Sequence, residues 1–175
     1  MDQETLDFYQ WELERDEVEE VKAALKRADS GHLIEHAKLK EMAAGWCEIE
    51  QSNLDEVVVT GSKDARIMWS DAAVSSLEHT CEYMAQRRDA DGLTTTESYL
   101  KDLLSTVELI ASYPDVGRRG LVKGTREWGM GFGLATIAYR HLLGEIQVLG
   151  MLVSHRKWPH MKSGHGWWAD RKSLS

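Results

Sequence analysis

Sulfur, membrane-spanning character and repetition are what this sequence has least of. Two cysteines in 175 residues, Cys47 and Cys81, are too few and too widely spaced for a disulfide framework. No Cys/His cluster has zinc-ligand spacing. Both therefore read as plain buried thiols. No apolar run approaches the roughly 20 residues that cross a bilayer, and the first residues are acidic, without the basic start and apolar stretch of an export signal. The expectation is a cytoplasmic chain with no membrane partner. No internal repeat or low-complexity block is present, which leaves an ordinary domain with an appendage as the organisation to be explained.

What the chain does have is enough apolar material for a core, 42% of residues, and a net charge of −8. The charge is unevenly spread. Residues 1–61 carry 6 basic and 16 acidic side chains, whereas residues 110–175 carry 10 basic and 4 acidic ones. An acidic front is joined to a moderately basic back, and the acidic balance opposes approach to phosphate.

From Leu6 to about Arg27, Phe8, Trp11, Val18, Val21, Leu25 and Ala28 recur at helical spacing with the glutamates on the opposite face. Asp29-Ser30-Gly31 supplies a stop. A second helix is predicted from about His36 to Trp46, with Leu39, Met42, Ala43 and Trp46 in phase. Two such helices expose an apolar stripe each and have too little mass for a core of their own, so the stripes must lie on something else. Residues 47–64 read as a connector containing a β-branched strand, Val57–Thr60. Arg66 to Trp69 then reads as a strand and Asp71 to about Arg88 as a helix capped by Ser70, with a second helix from Thr96 to Ser112. Beyond Pro114 the period changes, and Gly120–Val122, Arg126–Met130, Leu134–Leu142 and Glu145–Val153 read as strands, the last two joined by a tight hairpin at Leu143-Gly144. The predicted class is α+β: two helices packed on an antiparallel β-sheet, with an N-terminal helical arm.

Ile67-Met68-Trp69-Ser70, Leu77-Glu78, Tyr83, Pro114, Gly117-Arg118, Gly124-Thr125-Arg126-Glu127, Tyr139-Arg140, Val148-Leu149, His155-Arg156 and Trp158-Pro159 follow one another in the order and spacing of ParE/RelE-superfamily toxins. The resemblance covers about residues 65–160. The front segment, from Ala28-Asp29-Ser30-Gly31 through His36 to Trp46, resembles the toxin-binding region of ParD-like antitoxins. The resemblance implies residues 1–46 as an antitoxin-like neutralising segment, 47–64 as connector, 65–160 as a toxin domain of ParE/RelE-like fold, and 161–175 as a tail. It implies an intramolecular antitoxin–toxin contact through Trp11, Val18, Val21, Leu25, Leu33, Leu39 and Trp46. Arg118, Arg126, Arg140, His155, Arg156 and Trp158 are the target-binding candidates.

ParE-type relatives inhibit DNA gyrase through protein contacts. RelE-type relatives cleave mRNA on the ribosome, which needs proton-transfer groups and cations around the phosphorane. The sequence departs from the nuclease pattern, with Gly150 where the last strand commonly carries Arg and Val153 where His is common. Catalytic residues are therefore not assigned, and gyrase is the favoured partner over ribosome and mRNA. Arg126 and Glu127 also have a plainer reading as cross-strand ion pairs. His32 and His36 are four apart but have no third ligand near in sequence; no metal or cofactor is called for, and a homodimer remains open. The front segment lacks the β-ribbon with which such antitoxins grip operator DNA. The full chain is accordingly expected to give no sequence-dependent gel shift with duplex DNA at physiological salt; tight, sequence-selective retardation would contradict the charge argument.

Overall fold

The computed structural model describes residues 3–55, 65–86, 92–130 and 135–153, with side chains from 16–55, 65–84, 96–130 and 135–152. Helix α1 (Gln3–Asp29) follows the predicted stripe. It ends on Gly31, whose φ of 82° lies in the left-handed region that a Cβ disfavours. Gly31 N–H donates to Ala28 O at 2.9 Å and His32 N–H to Arg27 O at 3.0 Å, the paired bonds of a Schellman motif. The chain turns directly into strand β1 (Leu33–Glu35) and helix α2 (His36–Cys47). Part of the expected connector is in fact a short helix, α3 (Gln51–Asp55), with Leu54 fully buried. The expected strand Val57–Thr60 lies outside the described residues.

Strand β2 (Arg66–Ser70), helix α4 (Asp71–Gln86) and helix α5 (Gly92–Ser112) come next. Ser70 caps α4 as predicted, its Oγ accepting from Ala73 N–H at 3.1 Å. Strands β3 (Arg118–Arg119), β4 (Arg126–Gly129), β5 (Ala135–Leu142) and β6 (Glu145–Val153) complete the chain. Gly120 to Val122 is a turn and not the strand expected there. Gly120 N–H donates to Thr125 O, and Thr125 Oγ1 to Val122 O, so the segment's polar groups are spent locally. Leu143 and Gly144 both have positive φ, 51° and 78°, as a two-residue type I′ hairpin requires.

The class is α+β, and the sheet has six strands in the order β1-β2-β6-β5-β4-β3. It is mixed rather than antiparallel throughout: β2 runs parallel to β6, with Arg66 opposite Glu145 and Trp69 opposite Val148. This is the consequence of α4 and α5 carrying the chain across one face before the meander begins. On that face Trp69, Ile137, Tyr139, Ile146 and Val148 meet Leu77 of α4 and Leu100, Leu104 and Val107 of α5, together with Leu39 and Ala43 of α2. On the opposite face Val21, Ala24 and Ala28 of α1 meet Ala138 and Leu149. Each buried leucine or valine stabilises by about 1.5–3 kcal/mol, so this packing dominates the stability of the fold.

A bulge sets the relation of the two faces. Ala138 pairs with Gly150 but Tyr139 with Val148, leaving Leu149 as the extra residue. Its carbonyl accepts from Ser70 Oγ at 2.7 Å while its side chain is buried under α1. Tyr139 anchors the loop before β3: its hydroxyl donates to Pro114 O at 2.7 Å and accepts from Gly117 N–H at 3.0 Å. Burial raises its pKa, the Gly117 bond acting in the other direction. A Cβ at Gly117 would meet that hydroxyl at 2.7 Å, so only glycine fits. Tyr139→Phe removes both bonds and is expected to cost about 1–3 kcal/mol in urea unfolding of the full chain, with the m-value unchanged.

Candidate functional site

The contact between the front segment and the sheet is where most of the sequence-predicted site residues gather. Leu39 is fully buried and Val21 nearly so, whereas Val18 is half-buried. Trp46 packs against the main core, and Leu25 and Leu33 pack against the second cluster under α1. Trp11 sits in α1, but its side chain is outside the described residues, as are His155, Arg156 and Trp158.

Strand β1 adds to the sheet edge. Leu33, Ile34 and Glu35 stand opposite Ser70, Trp69 and Met68 in antiparallel register. Among the described residues it is Leu33–Glu35 of the front segment that adds to this edge, a segment that the sequence did not show as a strand. Glu35 pairs with Arg66, which also approaches Glu145 at 3.8 Å, so one guanidinium ties β1 to β2 and β6.

The three described arginine candidates do not form one patch. Directly paired residues share a sheet face. Arg118 stands opposite Glu127, which stands opposite Ala138 on the α1 side, whereas Arg126 stands opposite Tyr139 on the helical side. Arg118 donates to Glu127 Oε2 at 2.9 Å, a cross-strand ion pair. Arg126 donates to Gly117 O at 2.8 Å and pairs with Asp115 at 2.8 Å. Arg140 is on the α1 side, held by Gln147 Oε1 and by Asp29 at 2.8 Å, Asp29 being the last residue of α1. Of the three, only Arg140 is covered by the front segment.

A charged cluster under α2 was not anticipated. His36, the first residue of α2, accepts from Trp69 Nε1 through Nδ1 at 3.0 Å, with the two rings nearly parallel. Glu108 of α5 lies 3.7 Å from His36 Nε2 and 3.5 Å from Lys40 Nζ. Lys40 also reaches Asp55 of α3 at 3.8 Å. Glu108 is 7% exposed, and its Oε2 has no hydrogen-bond partner among the described residues. His36, Lys40 and Glu108 border a cleft of about 150 Å³, small beside the several hundred Å³ of ordinary ligand sites. The signal for it was in the sequence: Glu108 falls on the apolar stripe of α5, four residues after Leu104 and three before Ala111.

Among the described residues, ion pairs that join the front segment to the sheet and to α4 and α5 include Arg27 to Asp71, Asp29 to Arg140, Glu35 to Arg66 and Lys40 to Glu108. At Arg27 and Lys40 the front segment supplies the base, so a simple acidic-on-basic attraction does not describe the contact. Among the described residues no three His, Cys, Asp or Glu side chains are grouped to hold a metal ion. No helix among them is long and apolar enough to cross a membrane.

No family model matches the chain, and no curated protein matches it. Among solved structures it is similar to the chromosomal ParDE TA system from P. aeruginosa, at 18% identity and a TM-score of 0.46, over 53% of this chain and 98% of that one.

The ion pairs differ in burial, and the difference sets their worth. Asp29 and Glu35 have side chains more than 60% exposed, whereas those of Lys40 and Glu108 are 13% and 8% exposed. Glu108→Ala leaves Lys40 buried without its acidic partner on α5 and is expected to cost roughly 3 kcal/mol. Asp29→Ala should cost under about 1 kcal/mol. Urea unfolding of both full-length variants tests the order, and equal losses would contradict it.

Proposed function

We propose that this chain is a toxin–antitoxin fusion, in which residues 65–160 are a ParE-like toxin domain held neutralised by residues 1–46 acting as a ParD-like segment in cis. Residues 47–64 are its connector and residues 161–175 its tail. The observation that carries this reading is the way α1, β1 and α2 lie on the sheet. Helix α1 covers the face that α4 and α5 leave open, and β1 occupies the edge beside β2. Asp29 holds Arg140 from the covered side. Any macromolecular target of that face must displace α1 first. The sequence resemblance supplies the identity of the two parts.

Inhibition of DNA gyrase through protein contacts is favoured over ribosome-dependent mRNA cleavage. Arg118 and Arg126 are each engaged by an acidic group of the same sheet region, and Gly150 places no side chain where an arginine is common among nucleases of this kind. Arg140 is then the target-facing residue released when α1 departs, with His155, Arg156 and Trp158 as the contact element beyond β6.

The test keeps the chain at full length and breaks the contact. Ala24 is 1% exposed against the sheet, so Ala24→Arg should expel α1, and Ile34→Pro should unzip β1. Induced in a bacterial host, the wild type is expected to be tolerated and the double variant to arrest growth, with arrest relieved by residues 1–55 supplied in trans. Loss of chromosomal supercoiling identifies gyrase as the target; cleavage of mRNA moves the assignment to the RelE type. A soluble, folded and harmless double variant sinks the neutralisation reading.

A further inference from the structure

His36 is held between two contacts that ask opposite things of its ring. Nδ1 accepts from Trp69 Nε1 at 3.0 Å. An indole nitrogen can only donate, so Nδ1 carries no proton, and the ring is neutral with its hydrogen on Nε2. The two rings lie nearly parallel, 4° apart in tilt, with centroids 6.0 Å apart. On the other side Nε2 lies 3.7 Å from Glu108 Oε1, beyond hydrogen-bond length, and a carboxylate at that place favours a charged ring. An imidazolium has two donors and no acceptor. Protonation therefore sets N–H against N–H at Trp69 while it strengthens the attraction to Glu108.

The other charges around the ring set the balance of these two pulls. Among the described residues, Lys40, one turn further along α2, lies 3.5 Å from the same Glu108 Oε1 and offsets part of its charge, while Asp55 of α3 lies 3.8 Å from Lys40 Nζ. Glu35 of β1 is engaged by Arg66 of β2. Glu108 Oε2 has no hydrogen-bond partner among the described residues. The His36 side chain is 15% exposed, so protons from solvent reach it. It lines the 150 Å³ cleft together with Lys40, Ile67 and Glu108. The ring thus has room to turn away from Trp69 and an acceptor to turn toward.

We propose that His36 is an acid-sensitive latch on the joint between the front segment and β2. The neutral ring holds Trp69 Nε1. When the ring takes up a proton from solvent, the Trp69 bond is lost and the imidazolium swings into the cleft to pair with Glu108. An ordinary imidazole titrates near about pH 6.5, which places the change in mild acid. The position gives the swap its reach: His36 directly follows Glu35, the last residue of β1, and Trp69 is the register partner of Ile34. Trp69 is fully buried, so its N–H left without an acceptor is costly. That cost falls on the ladder by which the front segment joins the sheet. The inference concerns this joint and stands whether or not the covered domain is a toxin.

The Trp69 indole N–H and the His36 ring are followed by NMR in the full-length protein from pH 8 to pH 5, with hydrogen exchange of the β1 amides measured across the same range. The expected result is an upfield shift of the indole proton with the same midpoint as the His36 titration. Exchange at Leu33–Glu35, corrected for the intrinsic effect of pH, should become faster by on the order of tenfold as the bond is lost. His36→Asn keeps an oxygen acceptor near the place of Nδ1 and does not titrate, so in that variant the indole proton and the corrected exchange should stay constant. Glu108→Gln removes the attraction and leaves Lys40, so the midpoint should move to lower pH. An indole resonance that stays fixed while His36 titrates would overturn the proposal. So would a ring that stays neutral down to pH 5, the same pH response in His36→Asn as in the wild type, or unfolding of the whole chain before His36 titrates.

Discussion

Strand β2 can stay in the middle of this molecule only if the backbone groups on both of its sides are paired. On one side β6 pairs with it in parallel, and on the other β1 pairs antiparallel. Met68, Trp69 and Ser70 are all buried, so an unpaired edge at this position would leave N–H and C=O groups without water or partner. The other ties radiate from this strand. Trp69 donates to His36, Ser70 caps α4 and holds the bulge at Leu149, and Arg66 draws Glu35 and Glu145 together. The front segment is therefore built into the sheet and not merely laid on it.

Magnitudes rank the contributions to this joint. The exposed pairs at Arg27, Asp29 and Glu35 are each worth at most about 1 kcal/mol, and they carry register more than affinity. Burial of Val21, Ala24 and Ala28 on one face and of Leu39, Ala43 and Leu54 on the other removes far more apolar surface from water. The small side chains of Ala24 and Ala28 let α1 sit close over Ala138 at the bulge. Lys40 and Glu108 are the exception among the charges, because a desolvated pair is costly to break even where it adds little when intact.

Much of the framework was legible in local chemistry. The α1 stripe and its Gly31 stop, the Ser70 cap and the Leu143-Gly144 hairpin each rest on a few neighbouring residues whose preferences agree with the final structure. What was not legible depends on distant partners. Leu33–Glu35 is too short to show an alternating pattern, and it becomes a strand because Met68–Ser70 offers it a ladder. Gly120–Val122 has strand-like composition, but the bonds to Thr125 close it into a turn. Of the site, the apolar contact residues were readable from periodicity. The division of Arg118 and Arg126 between opposite faces was not, since it follows from the register of β3, β4 and β5. Glu108 was visible as a charge on an apolar stripe, though its partners His36 and Lys40 could not be.

The order of α1, β1 and α2 in the chain has a consequence during synthesis. A ribosome delivers these elements first, and the strands they cover, β5 and β6, last. When β6 finally completes the sheet, the helix that covers its outer face is already present and tethered, at an effective concentration no freely diffusing protein has to match. The open face of the sheet has no interval of existence as a separate species. Two polypeptides made separately would need to find each other; here the cover is waiting before the surface forms.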